Sequence, residues 1–263
     1  MLCLRDLCVL ISSGLLLIVQ SCHGSEIIGG KEVEPHSMPF MALLKAKSPQ
    51  CGGTLIHPKW VLTAAHCAKI KEVLLGVHAI KKKEKCSRQV QKVTRSVPHP
   101  DYNKVTEGND LMLLSLKTPV KKTNSVEWLE LGKTIQDPAA GKRCLVARWG
   151  ETRQKFKKAK MSAVLMSVNV TVIDRAACNS PNHYDRKPVI TSDMICAGST
   201  GDKMADTCNG DSGGPFLCDR QLVGVTSFGG KVCGDKKEVG VYSFLSKKHL
   251  KWIKETVGMS DIS

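Results

Sequence analysis

The chain reads as an all-β protein closed by one short helix, and three observations carry that reading. Apolar runs, few of them longer than eight residues, recur through the 263 residues at 40–44, 54–56, 73–77, 90–93, 111–116, 144–147, 162–173, 216–217, 222–228 and 239–245. Pro, Gly or charged residues separate many of them, the pattern of closely spaced strands in a sandwich or barrel. The runs fall into two groups without a visible sequence repeat, divided by a lysine-rich, Pro- and Gly-containing connection at 132–142. At the end, Leu250, Ile253 and Val257 stand at i, i+3 and i+7 among lysines. That spacing gives the apolar face of a short amphipathic helix.

The first stretch lies outside this pattern. Arg5 precedes an apolar run at 7–19 that Ser12 and Ser13 interrupt, and the small residues Ser21 and Gly24 follow. The run is short for a bilayer-spanning helix. It fits a cleaved secretory signal over 1–24, with an uncleaved anchor as the alternative. Cleavage after Gly24 leaves Ser25-Glu26 ahead of Ile27-Ile28-Gly29-Gly30.

Cysteine and charge usage narrow the class. Of twelve cysteines, Cys3, Cys8 and Cys22 lie in the signal and nine remain. A secreted chain this rich in cysteine is expected to be disulfide-stapled, although spacing does not choose among the roughly 105 pairings of eight cysteines. The formal charge is +15; Arg5, Asp6 and Glu26 together carry −1, so the chain from Ile27 onward carries +16. Such an excess attracts polyanions through a field that weakens as salt rises, or serves solubility alone. No nucleic-acid module accompanies it. The Cys and His spacings make no zinc set, and no cofactor motif occurs, so neither a metal nor a cofactor is expected.

Chemistry enters at Gly210-Asp211-Ser212-Gly213-Gly214-Pro215. A serine between an aspartate and glycines has little side-chain cover, and its backbone can turn to present N–H groups to a developing oxyanion. A surface turn uses the same residue types. Two further stretches favour catalysis. Trp60-Val61-Leu62-Thr63-Ala64-Ala65-His66-Cys67 ends an apolar run on a histidine, and Asn109-Asp110-Leu111-Met112-Leu113-Leu114 puts a carboxylate at the head of another. A serine hydroxyl needs a base within hydrogen-bond reach, and an imidazole changes charge near neutral pH. The chain order His, Asp, Ser separates this set from subtilisin and the α/β-hydrolases. His57, His99 and His249 read as surface or packing residues.

With the N-terminal Ile27-Ile28-Gly29-Gly30, these motifs resemble the trypsin/chymotrypsin family of serine proteases, and within it the granzymes, the A and K types in particular. The likeness runs from Ile27 onward. It implies two six-stranded antiparallel β-barrels with a C-terminal helix, a single protease domain over 27–263 whose halves meet near 130–131, and disulfides Cys51–Cys67, Cys144–Cys218, Cys178–Cys196 and Cys208–Cys233. It implies Ser212 as nucleophile, His66 as base, Asp110 as orienter of the imidazole with Ser227 supporting it, and the N–H groups of Gly210 and Ser212 as oxyanion hole. Asp206 falls at the base of the family's specificity pocket, beside Thr207 and between the walls marked by Gly229 and Gly240. A carboxylate there selects protein substrates with arginine or lysine at the cut. Asp211 would pair with the new ammonium of Ile27 once Ser25-Glu26 is removed, so the precursor is expected to be inactive.

Other implications concern partners and location. The resemblance points to a secreted protease stored in cytoplasmic granules of cytotoxic lymphocytes, to sulfated proteoglycan and protease inhibitors as partners, and to no membrane span. Lys81-Lys82-Lys83 with Lys85, the stretch 153–160 and Lys236-Lys237 are basic runs, each a solvated loop taken alone; the second borders the family's cleft. Asn169-Val170-Thr171 is the single N-glycosylation sequon. Departures from the family are Arg148 in place of glycine before Trp149-Gly150, and Val239 in place of a proline. The cysteine that bridges granzyme A dimers falls at Asp101 here. Cys86, left over in a basic loop, either links two chains or stays a capped or free thiol. Two other functions remain open: a catalytically silent polyanion-binding or antimicrobial relative, and a trypsin-like enzyme outside the granzymes.

Overall fold

The computed structural model describes residues 30–149, 163–198, 212–229 and 239–258. A two-residue strand, β1 (Lys31–Glu32), leads into six strands, β2 (Met41–Lys45), β3 (Pro49–His57), β4 (Trp60–Thr63), β5 (Glu72–Leu75), β6 (Gln89–Pro98) and β7 (Met112–Leu116). They close into a barrel in the order β2-β3-β4-β7-β6-β5, every pairing antiparallel. Closure leaves no free sheet edge, which short strands with unpaired backbone groups would otherwise expose. Inward-facing Leu55, Val61, Val73, Leu75, Leu114 and Leu116 fill it.

The second half repeats the architecture with β8 (Arg143–Arg148), β9 (Met166–Ile173), β10 (Met194–Gly198), β11 (Pro215–Cys218), β12 (Gln221–Phe228) and β13 (Gly240–Phe244). Their order is β9-β10-β13-β12-β11-β8, and β9 also pairs with β8, closing a six-stranded ring to which β1 adds outside β9. Val146, Val168, Ile195, Phe216 and Tyr242 form its core, the two rings 4.3 Å apart. The first barrel's apolar cluster continues through Leu217, Leu222, Val225 and Leu245 into Leu250 and Ile253 of the last helix, α2 (Lys247–Val257). At roughly 1.5–3 kcal/mol for each large aliphatic side chain buried, that face holds the helix down. Gly258 ends it in the left-handed conformation, φ 75°, its N–H donating to the Lys254 carbonyl.

The expected all-β class, two barrels and terminal helix are therefore the observed fold. Four elements were not legible as such, the first being β1, whose two residues are both charged. Trp60–Thr63 lies inside a continuous apolar stretch, Met194–Gly198 is poor in β-branched residues, and α1 (Arg175–Cys178) is a single turn capped by Asp174, whose carboxylate accepts from the N–H groups of Ala176 and Ala177. The run at 162–173 starts its strand at Met166; Val164 makes an isolated bridge to Ala79 instead. Three disulfides join Cys51 to Cys67, Cys144 to Cys218 and Cys178 to Cys196. Cys208 and Cys233 lie outside the described residues. Among the described residues no helix is long and apolar enough to cross a membrane.

Candidate active site

Strand β4 ends at Thr63, and His66 follows three residues later, its neighbour Cys67 bonded to Cys51 on β3. The strand and the disulfide fix the loop from both ends. Asp110 enters from the segment before β7, fully buried at the head of the apolar residues Leu111–Leu114. A carboxylate there is stable only if donors replace its lost water. Three do. Asp110 Oδ1 accepts the His66 backbone N–H at 3.0 Å, and Oδ2 accepts His66 Nδ1–H at 2.7 Å and the Ser227 hydroxyl at 2.5 Å.

These contacts settle the imidazole's tautomer. An ionised carboxylate offers no proton, so Nδ1 carries the ring hydrogen and Nε2 is left with its lone pair. The ring remains partly open to solvent, its side chain 27% exposed against 0% for Asp110. Two residues beyond the sequence reading complete the surroundings. Ser243 on β13 donates to the Asp110 backbone carbonyl at 3.2 Å. Tyr102 has its phenol pKa raised, first by burial and then by the negative charge of Asp110. A lone polar residue in the otherwise apolar run 239–245 was the available signal for Ser243; Tyr102 had none.

Ser212 stands where the two barrels meet. Its carbonyl accepts the Gly52 N–H at 2.9 Å, and Gly52 is next to Cys51 on β3. Gly213 has φ +80°, and a Cβ there would strike the Thr63 hydroxyl and the Gly52 carbonyl; glycine is required at this position. Thr63 Oγ1 itself donates to the Gly52 carbonyl at 2.8 Å. Gly213 N–H donates to the Thr226 carbonyl and Thr226 N–H to the Gly214 carbonyl, at 2.8 and 2.9 Å. The backbone after Ser212 is thus stitched to β3 on one side and β12 on the other, beside the loop that carries His66.

The remaining candidates divide. His66, Asp110 and Ser227 are joined by hydrogen bonds, and the Ser212 carbonyl is held by Gly52 on β3. Gly229 follows β12 and is exposed, and Gly240 opens β13 and is buried. Asn169 is exposed on β9 with buried neighbours on either side, and Cys86 is an exposed free thiol. Ile27, Asp206, Thr207, Gly210 and Asp211 lie outside the described residues. Of the histidines set aside from the sequence, His99 and His249 are buried and His57 is half-buried, its Nδ1 accepting the Lys59 N–H. Arg148 is buried at the end of β8.

The chain is similar in sequence to known proteins over most of its length. The trypsin family's sequence model matches residues 27–253. The chain is 43% identical to granzyme A of Bos taurus over 254 residues, 95% of this chain and 94% of that protein. It is 41% identical to granzyme B(G,H) of Mus musculus over 253 residues, covering 93% and 96%. With kallikrein-4 of Homo sapiens it shares 38% identity over 246 residues, covering 93% and 91%.

Proposed function

Because this chain belongs to the trypsin family of serine endopeptidases, we propose that it cleaves proteins after arginine or lysine by acyl transfer through Ser212, His66 and Asp110. The observation that carries the reading is the buried, triply bonded Asp110, which holds His66 with its Nε2 lone pair available. In the forward step Ser212 Oγ attacks the scissile carbonyl carbon while its proton passes to Nε2. The carbonyl π electrons move to oxygen, which the N–H groups of Gly210 and Ser212 would receive. The engagement of Gly213 N–H with Thr226 is consistent with that pair of donors. Collapse of the tetrahedral species expels the amine, protonated by the imidazolium. Water, deprotonated by His66, then attacks the acyl-serine ester and restores the hydroxyl.

Specificity follows from Asp206, with Thr207 beside it and Gly229 and Gly240 leaving room for a long side chain. A cationic substrate residue neutralises the pocket carboxylate, whereas an apolar one leaves it unpaired. Activation follows from Asp211, which gains a cation when removal of Ser25-Glu26 exposes the Ile27 ammonium. The likeness to granzyme A, the dipeptide ahead of Ile27 and the Lys247-Lys248-His249-Leu250 segment favour a granzyme A-like protease of cytotoxic lymphocytes, secreted and kept in granules. The +15 charge favours sulfated proteoglycan as a storage partner. Exposed Cys86 is the place for an intermolecular disulfide, which non-reducing electrophoresis of the protein and its C86S variant tests.

Turnover of arginyl and lysyl thioesters by the processed protein decides the main point. Hydrolysis abolished by S212A is the expected result. A protein that folds, binds heparin and leaves both esters intact would instead be a silent polyanion-binding relative.

A further inference from the structure

His249 takes no part in the reaction above, yet it is fully buried on the first turn of α2, against the segment that carries Asp110. Its Nδ1 lies 2.6 Å from the Phe244 carbonyl and 3.2 Å from Ser246 Oγ, and its Nε2 lies 3.1 Å from Asn109 Oδ1. Asn109 immediately precedes Asp110 and has φ +52°, a left-handed conformation that asparagine tolerates better than most residues. Its Nδ2–H donates to the Asp101 carbonyl at 3.3 Å, and its own carbonyl accepts the Leu111 N–H at 2.7 Å. The Asn109 side chain therefore lies between the Asp101 backbone and α2, and its contact with His249 ties the turn from which the next carboxylate projects to the helix. Ser243, one residue before Phe244, holds the Asp110 carbonyl from the same side.

We propose that His249 is a positioning residue for Asp110: it anchors the Asn109 amide and, through it, the left-handed turn that aims the carboxylate at His66. The proposal rests on the reading of His66 and Asp110 given above. The side chain has one partner on each of the two segments it joins. Phe244 O only accepts, so Nδ1 carries the ring proton. A neutral ring then meets Asn109 through its Nε2 lone pair, which requires the amide to turn its NH2 toward α2 and release Asp101. An imidazolium donates to Asn109 Oδ1 and leaves the amide bonded to Asp101. The proton count on His249 thus selects between two settings of the amide beside Asp110. The charged or titratable groups facing it are His99, its ring 5.1 Å away and edge-on, and the Lys248–Asp193 pair, itself at 2.6 Å. Burial, the largest influence, lowers the ring's pKa.

The test is a double-mutant cycle on the processed protein. H249N keeps a polar head near the Nδ1 position but is too short to reach Asn109, whereas H249Q places an amide near the Nε2 position. H249N and N109A should each lower kcat about tenfold with KM nearly unchanged, a modest displacement of a catalytic group being sufficient for that. H249Q should recover most of the loss, and H249N/N109A should lose no more than either single variant. Additive losses, an unchanged kcat in H249N, or a rise in KM alone would each overturn the proposal. Should H249N fail to fold, N109A with and without H249Q carries the same comparison. A second readout does not need turnover: the downfield proton resonance of the His66–Asp110 hydrogen bond should shift in H249N and return in H249Q. A protein that is inactive in its natural sequence yet shows that shift and return would refute the proposed enzyme function and retain the positioning role.

Discussion

Replacing His249 by glutamine should remove a measurable part of the protein's sensitivity to acid. Burial is the main cause that holds the His249 pKa down to about 4. The Phe244 carbonyl and the Asp193 charge pull the other way, and His99 and Lys248 reinforce the lowering. In the unfolded chain the ring would titrate near its ordinary 6.5. Between the two values the unfolded chain binds a proton that the folded chain refuses, so stability rises with pH across that window. The contribution is complete above pH ~6.5 and is lost as the pH falls toward ~4. At about 1.4 kcal/mol per pH unit the whole gap amounts to roughly 3 kcal/mol, and about 2 kcal/mol of it falls between pH 7 and pH 4.5. With urea m-values of roughly 1–3 kcal/mol per molar, the midpoint of the natural protein should drop by about 1 M more than that of H249Q between those pH values. Carboxylates that titrate in both proteins largely cancel in the difference. Equal midpoint shifts would refute the claim that the fold keeps this ring neutral.

Asp110→Asn should leave the fold intact and lower kcat by about four powers of ten, the loss expected when the imidazole takes the wrong tautomer; a tenfold loss in single-turnover kinetics would contradict the assignment. Ser227→Ala removes the 2.5 Å bond to Asp110 and should cost roughly 1.5–3 kcal/mol, the range for hydrogen bonds to charged groups, visible in thermal unfolding. Protein that still carries Ser25-Glu26 should hydrolyse an arginyl thioester far more slowly than protein starting at Ile27, and equal rates would exclude the Asp211 pairing.

The division between sequence and structure follows from how far apart in the chain the causes lie. Period, turn residues and motif order are local, so the all-β class, the C-terminal helix and the three motifs around His66, Asp110 and Ser212 could be read from residues a few positions apart. The resemblance supplied the disulfide pairing, because spacing is blind to which cysteines approach one another; three of the four bridges are present among the described residues. Strands such as Met194–Gly198 escaped because their partners β9 and β13, not their own side chains, make them strands.

The sequence by itself determined which groups could perform acyl transfer and that they sit at the ends of apolar runs. Only the tertiary structure decided that Asp110 receives a hydroxyl from 117 residues away and that Asn109 meets a helix 140 residues further on. It also decided that the residue after Ser212 must be glycine because Thr63 and Gly52 occupy the space a side chain would need. Those are consequences of closing two barrels against each other. Buried polar groups then have to find partners wherever packing brings them, and that pairing has no period along the chain.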